Sequence, residues 1–248
     1  KHLPRNYTLT FWLLRDTQKF GALLLAGYIA FFLALSINVG VHGMVTSFKS
    51  TFVEWLENRI FADYYINISN EMTLNKIEAL VKKYDGETYP IIKNEGTHVN
   101  KPVEIYGFKP SMTYEENWPL LEYTEDAWQE IRNGKIIFIS EQFSIREAIK
   151  LSDVLELEID GKKLDIEVGG IYADYGNSRN QLMMQLKLYK EFFSSQIPNT
   201  IAVKFDNRNS LSFFDDLTTN VEIVKEMIIN PQEVRKISLE IFDNTFKI

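Results

Sequence analysis

Between Lys19 and Lys49 the chain carries no charged residue: FGALLLAGYIAFFLALSINVGVHGMVTSF fills 29 consecutive positions, and its most apolar part, Phe20 to Val41, is 22 residues long. As a helix that part measures about 33 Å, enough to cross the hydrocarbon core of a bilayer. A cleaved signal would have an apolar stretch of about 7–15 residues and a small-residue cleavage site. This run is longer and no A-x-A pattern follows it, so the pattern predicts a transmembrane helix over 20–44 in preference to a signal or a buried core helix. Asn38 and His42 fall near one end of the span, where a polar side chain costs least.

The hydrophobic pattern then narrows to a stripe. In VTSFKSTFVEWLENRIF (45–61), Val45, Phe48, Phe52, Leu56 and Ile60, with Trp55, recur at three- and four-residue spacing, while Lys49, Glu54, Glu57 and Asn58 fall elsewhere. The helix is expected to run on as a stalk over 45–61, about 60 Å in all if unbroken from residue 20. Gly40 and Gly43 mark the expected place for a kink, since a mid-helix glycine costs about 1 kcal/mol relative to alanine.

The body reads as short strands with interspersed helices. DYYINIS (63–69) is a strand, and Thr73 caps a helix whose stripe is Leu74, Ile77, Leu80, Val81 and Tyr84, ended by Asp85-Gly86. Strands over 88–93 and 103–108 follow, with a turn expected at 94–97. The stretch 109–127, KPSMTYEENWPLLEYTEDA, has no clean period and reads as a surface connection, which places a subdomain break near 109–134. Then come a strand over 135–140, a helix over 141–150, and strands over 154–160 and 163–175 joined at Asp160-Gly161, a strong hairpin signal. Gly169-Gly170 predicts a bulge, as at a barrel corner. A strand at 181–185, a helix near 188–195, a strand at 200–205, a helix capped by Asn209 and a strand at 221–224 complete an α+β domain over 62–228. Asn230-Pro231 opens a last helix, 229–248, in which Val234, Ile237, Ile241, Phe242 and Phe246 recur at helical spacing. With neither a C-cap glycine nor a polar tail, it reads as a second stalk heading into a further membrane span.

Charge adds a topology. The 248 residues carry 27 Lys+Arg and 34 Asp+Glu, a net −7. Residues 1–19 hold Lys1, Arg5, Arg15 and Lys19 against Asp16, a net +3, which leaves −10 for the rest. The positive-inside bias puts the N-terminal flank in the cytoplasm and the acidic body outside. An acidic chain without a basic stripe is not expected to bind nucleic acid. The absence of cysteine excludes disulfides, thiolate nucleophiles and Cys-based metal sites.

The catalytic and cofactor signals are weak. None of the 12 glycines belongs to a phosphate loop or a dinucleotide fingerprint, and there is no G-x-S-x-G. No catalytic, cofactor-binding or metal-binding residue is therefore expected. His98, in NEGTHVN, reads as an exposed loop residue. The carboxylate pairs Glu115-Glu116, Glu125-Asp126 and Asp215-Asp216 read as solvated faces, and Asp174 in YADYGNSRN as a turn-capping side chain. Asn67-Ile68-Ser69 matches a glycosylation sequon inside a predicted strand, a chance match.

The order of these pieces resembles a known family. WLLRDTQKFGALLLAGYIAFFLALSI followed by SFKSTFVEWLENRIFADYYINIS is similar to the membrane helix, stalk and first strand of an FtsX-like, MacB-type ABC transporter permease. IIFISEQFSIREAIKLSDVLELEIDGKKLDIEVGGIYADYGN is similar to its second extracytoplasmic subdomain, with Ser152-Asp153 in place of the usual Gly-Asp. KISLEIFDNTFKI resembles the stalk entering the next span in permeases with about ten. The resemblance implies a mixed strand-helix subdomain plus a mostly β subdomain on two stalks, in the bacterial inner (cell) membrane. It implies no cofactor and no enzymatic activity in this chain, with ATP hydrolysed by a separate cytoplasmic ABC ATPase subunit. The other expected partners are the lipid bilayer and a periplasmic protein or lipid-like cargo, and a homodimer is left open. Stalk coupling is assigned to Phe48, Phe52, Trp55, Leu56, Ile237, Ile241 and Phe242, whose stripes should pack on each other. The alternative is the extracytoplasmic sensor domain of a membrane receptor or histidine kinase, which would show a longer helical seam and a ligand pocket ringed by aromatic and Arg side chains. A membrane-anchored hydrolase is weakest, since a nucleophile–base set is missing.

Overall fold

The structure is a computed structural model that describes residues 5–175, 177–193, 197–205, 210–221 and 225–246. The chain divides into two compact units, residues 1–51 and 52–248. The first unit is built on α1 (Arg5–Arg59), which continues into the second and stays helical through Gly40 and Gly43, where a kink was expected. Its stretch Leu23–Arg59 is long and apolar enough to cross a membrane, and its most apolar window is fully unburied. Two polar side chains along it are satisfied on the helix itself: Thr46 Oγ1 donates to His42 O at 2.8 Å and Asn38 Nδ2 to Ala34 O at 3.4 Å. That internal satisfaction is what a helix in lipid requires.

The second unit is α+β. After α1 come β1 (Tyr64–Asn67), α2 (Glu71–Lys83), β2 (Gly86–His98) and β3 (Lys101–Phe108). Asn70 caps α2, its side chain accepting from Thr73 N at 2.8 Å, so the cap lies three residues before the expected Thr73. The stripe reading holds, with Ile77 and Val81 fully buried. The β2–β3 turn is at Val99-Asn100, not at 94–97: both residues have positive φ, 49° and 61°, the two-residue geometry that matches strand twist. Gly96 serves a close approach within the strand, because a Cβ there would meet Ile105 Cδ1 at 2.7 Å and Glu158 O at 3.0 Å.

The stretch expected to be an irregular surface connection carries α3 (Met112–Asn117), β4 (Leu120–Tyr123) and α4 (Ala127–Arg132). Periodicity failed there because each element is only a turn or two long. Tyr114, Ala127 and Ile131 are nevertheless core residues, with Trp118 and Trp128 packed against them. β5 (Ile136–Ser140), α5 (Glu141–Glu147), β6 (Val154–Ile159) and β7 (Lys162–Tyr172) follow. Helix α5 stops three residues before the expected Lys150 because Ala148 turns left-handed at φ 54°. The β6–β7 hairpin turns at Asp160-Gly161 as expected, with φ 50° and 76°. The bulge is also present: the β5–β7 register slips between Ile137 and Phe138, where Gly169 is skipped. The rest is β8 (Gln181–Gln185), α6 (Leu186–Phe192), β9 (Thr200–Phe205), α7 (Ser210–Asn220), a 3₁₀ turn (Lys225–Met227), β10 (Ile228–Ile229) and α8 (Pro231–Thr245). Asn209 and the strand expected at 221–224, apart from Val221, lie outside the described residues.

The strands form one mixed sheet in the order β10-β1-β9-β2-β3-β8-β5-β7-β4, parallel at β3–β8 and β5–β7. Strand β6 pairs with β7 along its length and touches β2 at Thr97–Glu158, so β2, β3, β8, β5, β7 and β6 close into a ring. Period-two alternation divides each strand between two cores. Val103, Ile105, Ile137, Ile139, Leu182 and Met184 face the ring interior with Leu155, Leu157 and Ile159 of β6. Phe108, Ile136, Phe138 and Met183 face an aromatic core with Tyr89, Tyr114 and Tyr172. A third core sets α2 and α7 against β1 and β9 through Ile77, Val81, Phe213, Leu217, Ile201 and Val203.

Candidate functional site

The last turns of α1 put Phe52, Trp55, Leu56 and Arg59 on one face, at the three- and four-residue spacing of a helix. Trp55 and Leu56 are 8% and 6% exposed and form a small cluster with Ala173, flanked by Phe52 and Ile60. Trp55 Nε1 donates to Ala173 O at 3.0 Å, and its ring meets Tyr175 edge-on at 5.4 Å. From the other side comes α8, whose start is fixed by Asn230 accepting from Gln232 N and by Pro231 at the first helical position. Phe242 of α8 is 6% exposed, stacks on Phe52 at 5.4 Å and touches Phe246 at 4.7 Å. Arg235 Nη2 donates to Ile60 O, where the α1 helix has just ended.

Of the residues assigned to stalk coupling, the structure thus brings together Phe52, Trp55, Leu56 and Phe242. Ile237 and Ile241 lie on an outward face of α8, 48% and 62% exposed, and Phe48 belongs to the first unit, 42% exposed. Sequence reasoning missed Arg59 and Arg235, although Arg59 completes the spacing begun by Phe52 and Trp55. The Arg59 guanidinium lies 4.0 Å over the Trp118 ring and 5.6 Å from Tyr172, with Nη2 4.0 Å from Asp174 Oδ2. Asp174, expected to cap a turn, is 3% exposed and stands beside that cation.

Arg59, Ile60, Phe61, Tyr65, Tyr106 and Trp118 line part of a cavity of about 280 Å³ at this joint, together with aliphatic side chains from β2, β8, β10 and α8. Burial pushes the Tyr114 and Tyr172 hydroxyls well above the ordinary phenol range, which keeps both neutral beside the joint.

The loop after β7 is held by a charged network. Glu104 of β3, 3% exposed, accepts from Lys93 Nζ and Arg179 Nη1 at 2.9 Å each, and from Asn177 Nδ2 and Gln181 Nε2 at 3.0 Å. Burial opposes its ionisation, but the bonds from Lys93, Gln181 and Arg179 outweigh it and hold the carboxyl at about 2. Arg146 adds contacts to Asn180 Oδ1 at 2.9 Å and Ser178 O at 2.6 Å. The loop that presents Ala173, Asp174 and Tyr175 to α1 is therefore anchored a few residues on.

The other flagged groups are structural. His98 Nδ1 is 2.9 Å from Glu156 O at the end of β2. Glu115 pairs with Arg132, and Asp216 accepts from Lys83 and Tyr84 at 2.6 Å each. Asn67 of the sequon accepts from Thr200 Oγ1 at 3.0 Å. Among the described residues no group of His, Cys, Asp and Glu could hold a metal ion.

No protein family and no curated protein matches the chain. Among solved structures it is similar to extracytoplasmic domains of ABC-type transporters. One is the extracellular domain of the noncanonic ABC-type transporter YknZ from Gram-positive bacteria, at 11% identity and a TM-score of 0.44, covering 64% of this chain and 87% of that one. Another is the periplasmic region of MacB from Actinobacillus actinomycetemcomitans, at 18% identity and a TM-score of 0.45, covering 71% of this chain and 91% of that one.

Proposed function

We propose that this chain is a segment of a bacterial ABC transporter permease subunit, with its α+β domain outside the cytoplasmic membrane and ATP hydrolysed by a separate cytoplasmic ATPase. In this reading the end of α1 and α8 act as a pair of stalks. Motion imposed on them drives rearrangement of the domain, which works on an efflux substrate, a lipid or lipoprotein cargo, or a periplasmic partner. The observation that carries it is the joint in which Phe52 stacks on Phe242 and Arg235 clasps Ile60 O. The charge-free span, the +3 flank and the order of motifs agree with it.

Replacing Phe52 and Phe242 together with Asp puts two carboxylates into an apolar contact, and burying an unpaired charge is strongly unfavourable. In the assembled transporter this double variant should keep ATPase activity and lose transport. Wild-type coupling would overturn the proposal.

A second reading, a sensor domain of a membrane receptor or histidine kinase, is favoured by one observation: the aromatic cavity with Arg59 in its wall. Copurification from membranes separates the two, since a permease brings an ABC ATPase and a sensor does not.

A further inference from the structure

The cavity at the stalk joint has features that packing alone does not explain. Its walls are Phe61, Tyr65, Phe108 and Tyr114 on the aromatic side, with Ile91 and Met183 among the aliphatic residues. The rings are already engaged with one another: Tyr114 meets Phe108 at 5.0 Å and Phe61 at 5.1 Å, both edge-on, and Trp118 at 5.6 Å. The cavity therefore offers dispersion contact to an aliphatic body. Its volume is about 280 Å³, many times the roughly 10–15 Å³ that admits one water.

Two donors in the lining have no acceptor. Arg59 Nη1 and Trp118 Nε1 are buried without a hydrogen-bond partner among the described residues, as is the neighbouring Arg235 Nε. A buried donor left unsatisfied is destabilising, the more so when charged. Asp174 Oδ2 is 4.0 Å from Arg59 Nη2, beyond hydrogen-bond length. The joint thus carries spare donors, two of them on guanidinium groups, beside an apolar cavity.

We infer that this cavity binds a small aliphatic carboxylate, its chain among the aromatic walls and its carboxylate accepting from Arg59 Nη1 and Trp118 Nε1. Because Arg59 ends α1 and Val234 of α8 also lines the cavity, occupancy stiffens the joint between the two helices. The inference goes beyond the proposed function and holds for a permease or a sensor.

The test uses the full chain in lipid nanodiscs, with octanoate titrated calorimetrically against empty nanodiscs and 1-octanol as the uncharged probe. Saturable octanoate binding, at least about tenfold tighter than octanol, is expected from a charge-assisted pair. Arg59→Met keeps the side chain's apolar stem and should weaken octanoate about tenfold or more, leaving octanol unchanged. Trp118→Phe should weaken octanoate severalfold. Ile91→Phe fills the cavity from the opposite wall and should abolish both. Equal binding of octanoate and octanol, no binding above empty nanodiscs, or wild-type affinity in Arg59→Met or Ile91→Phe would each overturn the inference. Since none of these readouts involves ATP, a failed coupling experiment leaves this one intact, and the reverse.

Discussion

Glu104 shows how a single side chain can carry structural consequence without a sequence signal. Nothing in PVEIYG distinguishes it from the other acids, yet the sheet places Lys93, Gln181 and Arg179 around it. Its carboxyl sits at about 2 in place of an ordinary 4.5. The native state therefore favours the ionised form, and the stabilisation is complete above about pH 5 and is lost as the pH falls through 4.5 towards 2. The contribution is of order 3 kcal/mol. Chemical denaturation at pH 6 and pH 3 should show more than half of that loss in the native protein. Glu104→Gln should be less stable at pH 6 and should lack most of the acid-induced drop. An undiminished drop in the variant would mean that another carboxylate governs acid sensitivity. Asp174 makes the same point from the other side: its position in a loop was legible, but its burial beside Arg59 depends on how α1 meets the domain.

At the scale of elements, local rules worked where the chain itself supplies the geometry. Asp160-Gly161 turned as expected because that pair tolerates positive φ. Val99-Asn100 escaped notice because valine rarely takes φ 49°, and the nearby Gly96 drew the turn to the wrong place. Ser152 is a further such position. It stands at φ 65°, its amide donating to Val168 O at 2.8 Å. Ser152→Gly should raise stability by about 0.5–1 kcal/mol through relief of left-handed strain, seen as a higher melting temperature. A neutral or lower value would show that the loop accommodates serine without strain. The α8 helix can be tested in the same way. Phe242→Ala removes its buried anchor on Phe52, and the amides of α8 should then exchange with an opening free energy about 2–3 kcal/mol lower, while those of β3, β5 and β8 stay protected. Equal loosening of the sheet would place Phe242 in the main core.

For the molecule as a whole, the sequence by itself determined a helix long and apolar enough to cross a membrane, its continuation through the striped residues 45–59, the α+β class and most strands. Each of these depends on hydrophobic periodicity or on a turn residue's own backbone preference, which are properties of neighbouring residues. Tertiary structure alone decided the rest. The closure of β6 onto β2 and β7, the burial of Tyr114 and Ala127 in the aromatic core, the Glu104 network and the Arg59 cavity all join residues far apart in the chain. Such contacts form because apolar faces and buried charges need partners, and the partner of Glu104 or Trp118 is set by which strands lie side by side. The joint of α1 and α8 combines both cases: the stripe on α1 is readable at Phe52, Trp55 and Leu56, but only the packing of α8 selects Phe242 from its stripe and leaves Ile237 and Ile241 outward.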